Sequence, residues 1–167
     1  TPKLGIKWTP ADWIALRASY AEGFRAPNPA ENGDGGLAAF SNAADPVRCP
    51  GGNPAPGATS DDCGALPVAI ITRPNKDLKP EESKSYSVGI VLQPTSTTSL
   101  TVDAWQIKRT NEIAQGDTGA AIAAGNVLRD NNLLNGVPGT GSILAVNTAY
   151  INAASTRVRG IDTDIRQ

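Results

Sequence analysis

The chain contains no histidine among its 167 residues. Histidine is the most frequent general base in enzymes and the most frequent transition-metal ligand, and without it no serine or cysteine here has a base partner for nucleophilic catalysis. The Asp and Glu residues are scattered, so nothing selects a carboxylate pair for glycoside hydrolysis, and no D-x-D-x-D-G spacing marks a calcium loop. The sequence therefore predicts no enzyme activity, no metal site and no cofactor.

Positive charge, long apolar runs and methionine are also scarce or missing. The 15 Lys and Arg residues are balanced by 16 Asp and Glu residues and form no patch along the sequence, which argues against nucleic acid as a partner. No apolar run approaches the roughly 20 residues of a transmembrane helix. Methionine is absent, and the first residues, TPKLGIKW, lack the apolar core of a signal peptide. We therefore expect an interior segment of a longer protein.

Only two cysteines are present, Cys49 and Cys63, in a stretch rich in Pro, Gly and Asp. Metal-binding cysteines are usually two to four residues apart and are joined by further Cys or His, which this chain does not have. A local disulfide is the better interpretation, and it implies an oxidising compartment.

Five segments alternate apolar residues with small or polar residues, which is the period of a β-strand with two unlike faces. In the second segment Ile14, Leu16 and Ala18 share one face, and in the third Val88 and Ile90 do so. The sequence thus predicts an all-β fold, an antiparallel meander of about five strands at residues 4–9, 13–24, 83–93, 99–110 and 148–165.

The connections between these segments alternate between tight and long. The tight turns are near residues 9–12 and 94–98, and the long connections run from about 25 to 79 and from about 111 to 147. Short turns at one end and long loops at the other are typical of bacterial outer-membrane barrels. About five strands cannot close a barrel, so we expect part of a larger one, with lipid on the apolar face and water behind the polar face.

Three motifs, in order along the chain, resemble the signatures of TonB-dependent outer-membrane receptors. YAEGFRAP at residues 20–27 is similar to Y-x-E-G-F-R-A-P, and NKDLKPEES at residues 75–83 is similar to N-x-x-L-K-P-E-x-S. The pair IN and RGID, within residues 151–162, is similar to N…R-G-[VI]-E, with Asp where Glu is more usual. The positions that carry the resemblance are Tyr20, Gly23, Phe24, Arg25, Pro27, Leu78, Lys79, Pro80, Glu81, Gly160 and Asp162.

The resemblance implies a segment from the C-terminal half of a 22-stranded barrel in the outer membrane of a Gram-negative bacterium. It further implies energised uptake of a scarce ligand, namely a ferric siderophore, haem, cobalamin or an oligosaccharide. The long connections would be extracellular and the tight turns periplasmic. The partners would be outer-membrane lipid, the transported ligand and, through an N-terminal part that this sequence does not contain, the TonB complex. Family members share no single set of ligand residues here, so none is assigned.

The signature residues are expected to act mainly on the conformation of the chain. We expect Arg25 to fix the end of its strand by pairing with Glu22 or Glu31, and residues 78–81 to start the next strand, because Pro80 keeps the preceding residue extended. Asp162 and Asp164 are expected to line the lumen and meet Arg or Lys on neighbouring strands. Gly160 has two interpretations, a close approach of another group or an ordinary strand glycine, and Gly23 is expected to mark a bend.

A soluble, secreted β-sandwich that binds a carbohydrate or a protein and is stapled by Cys49–Cys63 remains the alternative. The two folds differ in the surroundings of Ile14, Leu16, Val88 and Ile90, which a sandwich buries against a second layer and a barrel leaves to the lipid. For the barrel, the low charge of the long connections favours a neutral polar ligand, such as a glycan or a peptide, over a ferric siderophore.

Overall fold

The computed structural model describes all residues, 1–167, and contains eight β-strands with only short helices. The helices are α1 (Pro29–Asn32) and α2 (Thr118–Ala123), with 3-10 turns at Pro50–Gly52, Ser60–Cys63 and Leu134–Gly136. None of the helices has the length and apolar character needed to cross a lipid bilayer. The strands are β1 (Lys3–Ala11), β2 (Ile14–Arg25), β3 (Leu37–Ala43), β4 (Leu66–Arg73), β5 (Glu81–Leu92), β6 (Ser99–Gln115), β7 (Val127–Arg129) and β8 (Ile143–Arg166).

The all-β fold class is confirmed, with more strands than the sequence predicted. The five predicted segments correspond to β1, β2, β5, β6 and β8. The additional strands β3, β4 and β7 lie in the long connections. The chain divides into two compact units. Unit 1 comprises Thr1–Ala26, Lys79–Glu112 and Asn152–Gln167, and unit 2 comprises Pro27–Leu78 and Ile113–Ile151.

Unit 1 is one sheet with the strand order β1-β2-β5-β6-β8. β2 pairs antiparallel with β1 and β5, and β5 pairs antiparallel with β6. The alternation seen in the sequence sets its two faces, because paired residues in neighbouring strands point to the same side. On one side Ile6, Ala18, Val88 and Ala104 form a cross-strand row. This side is called the apolar face below, and the opposite side the polar face.

The apolar face of unit 1 has no second layer over it. Leu4, Ile6, Trp8 and Val88 are between 60% and 73% exposed, and Leu16 is also exposed. Unit 1 contains no helix that could cover them. A soluble sandwich would bury this row in its core, so the structure contradicts the sandwich alternative and agrees with a sheet that needs an apolar surrounding.

Unit 2 has its own small hydrophobic core. β4 pairs parallel with the first part of β8, with Ile70 opposite Val146, and β3 and β7 pair antiparallel with β4 and β8. The buried core residues are Val68, Ile70, Ala121, Ile122 and Val146. The long connections are therefore folded and not open loops, and the parallel pair departs from the antiparallel meander. Within the second connection, α2 ends at Ala123 and β7 begins at Val127.

Candidate functional site

Unit 2 contains a cleft with a volume of about 650 Å³. It opens between the end of β4, the start of α2 and the first part of β8. The polar part of its lining is contributed by Arg73, Asp117, Asn126, Asn147 and Thr148. Sequence reasoning placed ligand capture in the long connections but named none of these residues, because they come together only through the pairing of β4 with β8.

Hydrogen bonds, most of them between residues far apart in the chain, hold the lining residues in place. The backbone N–H of Asn147 donates to the Asn126 carbonyl (2.8 Å), and the Asn147 Oδ1 accepts from Arg73 Nη2 (3.4 Å). Asp117 caps α2 by accepting from the Ala120 N–H (2.7 Å). The Thr148 hydroxyl is buried and donates to Thr72 Oγ1 (3.1 Å). The cleft is thus built before any ligand arrives.

The chemistry of the cleft is that of polar recognition. It offers one guanidinium, one carboxylate and two amides, and no aromatic ring is among its lining residues. Within it no hydroxyl or thiol faces a base, so the arrangement cannot activate a nucleophile. It can bind a polar molecule through several hydrogen bonds, each worth about 1 kcal/mol net.

Two buried ion pairs, here called the loop clamp, join the two long connections inside unit 2. Arg48 Nε donates to Asp62 Oδ1 (2.7 Å), and Arg48 Nη1 donates to the carbonyls of Asn132 (3.0 Å) and Thr140 (2.9 Å). Arg48 and Asp62 belong to the first connection, whereas both carbonyls belong to the second. Arg48 therefore bridges the two connections from a buried position.

The second ion pair of the clamp runs in the opposite direction. Arg129 of β7 donates from Nη2 to Asp45 Oδ1 (3.0 Å) and from Nη1 to the Gly141 carbonyl (2.7 Å). Asp45 is buried, and its other oxygen also faces Arg129. Each connection thus supplies an arginine that binds groups on the other connection, which makes unit 2 one ordered body.

The clamp also changes the acidity of its carboxyls. The hydrogen bond from Arg48 and that from the Thr59 N–H lower the pKa of Asp62 to about 2. For Asp45 burial alone would raise the pKa, but the hydrogen bond from Arg129 together with those from the backbone outweighs burial and lowers it. Both carboxyls are therefore ionised at neutral pH and remain so in moderate acid.

We expect unit 2 to lose stability as the pH falls from about 5 toward 2. Because the Asp62 pKa is lower in the folded state than its unfolded value of about 3.9, its contribution is fully present above about pH 5 and is lost as the pH falls toward 2. Hydrogen exchange of unit 2 at a series of pH values measures this. The Asp62→Asn variant should show a smaller acid dependence, with the remainder due to Asp45, and an unchanged acid dependence in that variant would contradict the assignment.

The predicted disulfide between Cys49 and Cys63 is confirmed, with a Cα–Cα distance of 5.0 Å. Its cysteines directly follow Arg48 and Asp62 in the sequence, so the covalent bond and the buried ion pair close the same loop. Both features favour the same folded arrangement of the first connection.

The first two signatures meet where β2 ends and β5 begins. Arg25 binds both oxygens of Glu81, at 2.8 and 2.9 Å, and the two residues are opposite each other in the β2–β5 register. The sequence suggests Glu22 or Glu31 as its partner. Glu22 accepts a hydrogen bond from the Tyr20 hydroxyl, and the pairing with Glu31 stays a prediction. Phe24 is 68% exposed next to Arg25, and Pro27 precedes α1, whose cap residue is Asn28.

The segment 78–81 brings the chain into β5. Leu78 is buried, and the side chain of Asn152 on β8 holds both backbone groups of Lys79, accepting from its N–H (2.9 Å) and donating to its carbonyl (2.9 Å). Pro80 directly precedes β5. This geometry agrees with a role in starting the strand, which stays a prediction for the protein in solution.

The third signature lies under a tryptophan on the polar face. Trp105 Nε1 donates to Asp162 Oδ2 (2.9 Å), and a Cβ at Gly160 would be 2.7 Å from Trp105 Cζ2. The expectation that Asp162 and Asp164 meet basic residues of neighbouring strands is wrong, since Asp164 pairs with Arg166 of its own strand (2.9 Å). Gly160 is small because the indole ring occupies the space of its side chain. A Cβ at Gly23 would likewise be only 2.7 Å from Ser83 Oγ.

Sequence reasoning missed an ion pair that crosses a whole strand of the polar face. Arg17, Gly89 and Asp103 form one row across β2, β5 and β6, and Arg17 Nε donates to Asp103 Oδ1 over the glycine (2.8 Å). A Cβ at Gly89 would lie 1.9 Å from that oxygen. Because Gly89 has no side chain, Arg17 and Asp103 can meet across it.

We expect Gly89→Ala to separate Arg17 from Asp103. The pair is partly exposed, so the loss of coupling should be modest, at most about 1 kcal/mol. A double-mutant cycle on Arg17 and Asp103, measured with and without Gly89→Ala, tests this. Coupling that persists in the Gly89→Ala background would contradict the proposed geometry.

Unit 1 is one uncovered sheet, apolar on one side and polar on the other, with short turns at one end. The long connections form a folded unit. Together these features define a segment of an outer-membrane-type β-barrel. The whole chain, residues 1–167, matches the family described as TonB-dependent receptor-like, β-barrel. The chain belongs to this family. No curated protein matches it.

Solved structures show the same fold at low sequence identity. The siderophore receptor PirA from Acinetobacter baumannii is 18% identical with a TM-score of 0.60, covering 98% of this chain and 20% of the receptor. A mutant of the ferric enterobactin receptor PfeA from Pseudomonas aeruginosa is 16% identical with a TM-score of 0.61, covering 97% and 19%. A double mutant of the Serratia marcescens hemophore receptor HasR, in complex with its hemophore HasA and heme, is 20% identical with a TM-score of 0.50, covering 98% and 19%.

The chain spans about a fifth of the length of these structures. The family and the similar structures are transport receptors and not enzymes, in agreement with the catalytic groups that the sequence lacks.

Proposed function

We propose that this chain is part of the barrel wall and of the extracellular ligand-binding region of an outer-membrane receptor that takes up a scarce ligand with energy from the TonB complex. The uncovered apolar face of unit 1 carries this proposal, because its Leu, Ile, Trp and Val side chains, 60–73% exposed, need an apolar surrounding, which lipid supplies. The receptors that it resembles are described as binding siderophores, enterobactin or heme, which supports uptake of a scarce small molecule here.

The cleft of unit 2 is proposed as a contact site for that ligand. Its guanidinium, carboxylate and amides match a polar ligand of low net charge, such as a glycan or a peptide. A planar aromatic ligand such as haem would find no ring to stack on. In this proposal the loop clamp keeps the cleft open and ordered, so binding costs little conformational entropy.

Energy-dependent uptake by cells that make the full-length receptor containing this chain tests the function. The panel comprises radiolabelled ferric siderophores, haem, cobalamin and oligosaccharides, each with and without an intact TonB complex. At least one ligand should accumulate only when the complex is intact. A receptor that fractionates away from the outer membrane, or that promotes no TonB-dependent uptake, contradicts the proposal.

The cleft is tested separately with Asn147→Ala. Loss of one hydrogen bond should weaken ligand binding by about fivefold. The matched control is Asn131→Ala, at an exposed asparagine of unit 2 that does not line the cleft. Equal affinities of the two variants would remove the cleft from the binding region without affecting the transport proposal.

A further inference from the structure

The edge strand of unit 2 has no strand on its outer side. β3 is the last strand of the sheet, and β4 is its only strand partner. In an antiparallel pair, successive residues direct their backbone N–H and C=O groups alternately to one neighbour and to the other. Roughly half of the seven residues of β3 therefore present backbone donors and acceptors that no neighbouring strand satisfies.

β3 has none of the features that usually protect an exposed edge. Such edges are normally interrupted by charged residues, proline or a bulge, because an unprotected edge pairs with other chains. The sequence of Leu37–Ala43, LAAFSNA, contains no charge and no proline, and its register with β4 has no shift. All of its residues except the last are exposed. This edge is open to an incoming strand.

An aromatic side chain lies beside the open edge. Phe40 is the middle residue of β3 and is 85% exposed. It is opposite Ala69 and points away from the core of unit 2, because the neighbours of Ala69 on β4, Val68 and Ile70, point into that core. Side chains that are opposite each other in adjacent strands are about 5 Å apart. A strand added at this edge therefore gains a contact with Phe40 as well as backbone hydrogen bonds.

The open edge leads to the cleft of unit 2. Leu37, the first residue of β3, is opposite Thr72, and the next residue of β4 is Arg73, which lines the cleft. Arg73 forms no ion pair in the structure. Gly35 and Gly36, which precede β3, have no side chains that could block the route from the edge to the cleft.

The position of Arg73 sets the direction of an added strand. A strand that runs antiparallel to β3 ends next to Leu37, so its carboxyl terminus is at the Arg73 end. The added strand is two strand spacings, roughly 10 Å, from β4, and the arginine side chain and the last residue of the added strand span this distance together. A parallel strand would instead bring its ammonium group to the same cation, which is repulsive.

We propose that unit 2 binds an extended peptide as an additional strand antiparallel to β3, with the peptide carboxylate at Arg73 and one side chain beside Phe40. The inference rests on the proposed function and narrows its ligand from a polar molecule to a peptide. The edge of β3 selects a polypeptide, because a glycan does not repeat N–H and C=O groups at the spacing of a strand. The lack of charge along β3 favours an uncharged sequence before the terminal carboxylate.

The test uses the full-length receptor in mild detergent and, as the probe, an N-acetylated heptapeptide of alternating valine and threonine with a free carboxylate. Hydrogen exchange followed by mass spectrometry should show fast exchange in residues 37–43 without the peptide and slower exchange with it. Two further peptides carry N-methyl groups on alternate amides, in the two possible phases, which removes the donors of one edge and keeps the side chains. Calorimetry should show at least about tenfold weaker binding for the phase that faces β3, because several hydrogen bonds are lost.

Receptor variants test the two side-chain contacts. Phe40→Ala should weaken peptide binding about fivefold. The matched control Val137→Ala, at an exposed residue of unit 2 outside β3 and the cleft, should bind like the parent. Arg73→Gln should weaken binding of the free-carboxylate peptide about fivefold and should not change binding of its C-terminal amide.

Protection of residues 37–43 in the receptor without peptide would show that another segment of the receptor occupies the edge, and it would overturn the inference. Failure of the parent receptor to bind the probe, equal affinity for all three peptides, or equal affinity of Phe40→Ala and Val137→Ala would overturn it as well. A receptor that takes up a siderophore or an oligosaccharide with TonB dependence but does not bind the peptide retains the proposed function. A receptor without any TonB-dependent uptake contradicts the proposed function itself.

Discussion

Replacing Arg48 with Met is expected to destabilise unit 2 locally by about 3–5 kcal/mol. The substitution leaves the Asp62 carboxylate buried without its cation and removes the donor from the carbonyls of Asn132 and Thr140. Removing one partner of a buried ion pair costs more than the pair itself contributes, because the remaining charge stays desolvated.

Hydrogen exchange followed by mass spectrometry on the full-length receptor measures this loss as faster exchange in residues 27–78 and 113–151. The matched control is Lys76→Met, whose partner Asp34 is almost fully exposed, so that variant should lose less than about 1 kcal/mol. Protection of unit 2 that is the same in both variants would show that the loop clamp does not hold the connections together.

Val88→Arg is expected to impair insertion of the receptor into membranes. Val88 is 63% exposed in the middle of the apolar face, and an arginine facing lipid near the bilayer centre costs about 2–4 kcal/mol. The neighbouring Ser87 points to the polar face, where its hydroxyl is hydrogen-bonded to Ser19 (2.7 Å). Ser87→Arg introduces the same charge one position away, into water, and should cost much less.

Refolding into phosphatidylcholine vesicles during urea titration compares the two variants directly. The midpoint of Val88→Arg should move to lower urea concentration than that of Ser87→Arg. If the order is reversed, or if both variants insert like the parent, the assignment of the two faces is wrong.

The faces of unit 1 could be predicted from the sequence because they depend on local alternation. Ile14, Leu16 and Val88 are on the expected side, and the two short connections join β1 to β2 and β5 to β6. A period of two needs no knowledge of the partner strand, and a tight turn leaves only the antiparallel neighbour available.

Unit 2 could not be predicted in the same way, since its contacts join residues that are far apart in the chain. The parallel strand pairing of Ile70 with Val146 depends on how the two long connections meet. The ion pair between Arg129 and Asp45 depends on it as well. Nothing in either connection alone marks its partner. The two long connections therefore contain strands, helices and a small core that the sequence did not indicate.

The partners of charged side chains were the least predictable feature, even within unit 1. Arg25 binds Glu81 because the β2–β5 register places the two residues opposite each other. Asp162 binds Trp105 because a glycine two positions earlier makes room for the indole ring. Lys84 and Lys108 likewise meet through the β5–β6 register and not through proximity in the sequence.

The most direct measurement of which face contacts lipid is spin-label accessibility in the reconstituted full-length receptor. Val88→Cys and Ser87→Cys are labelled with a nitroxide; Cys49 and Cys63 are joined in a disulfide and do not react. The account predicts that dissolved oxygen relaxes the label at position 88 and that a water-soluble nickel complex relaxes the label at position 87. A label at position 88 that the nickel complex reaches as readily as the label at position 87 would contradict it.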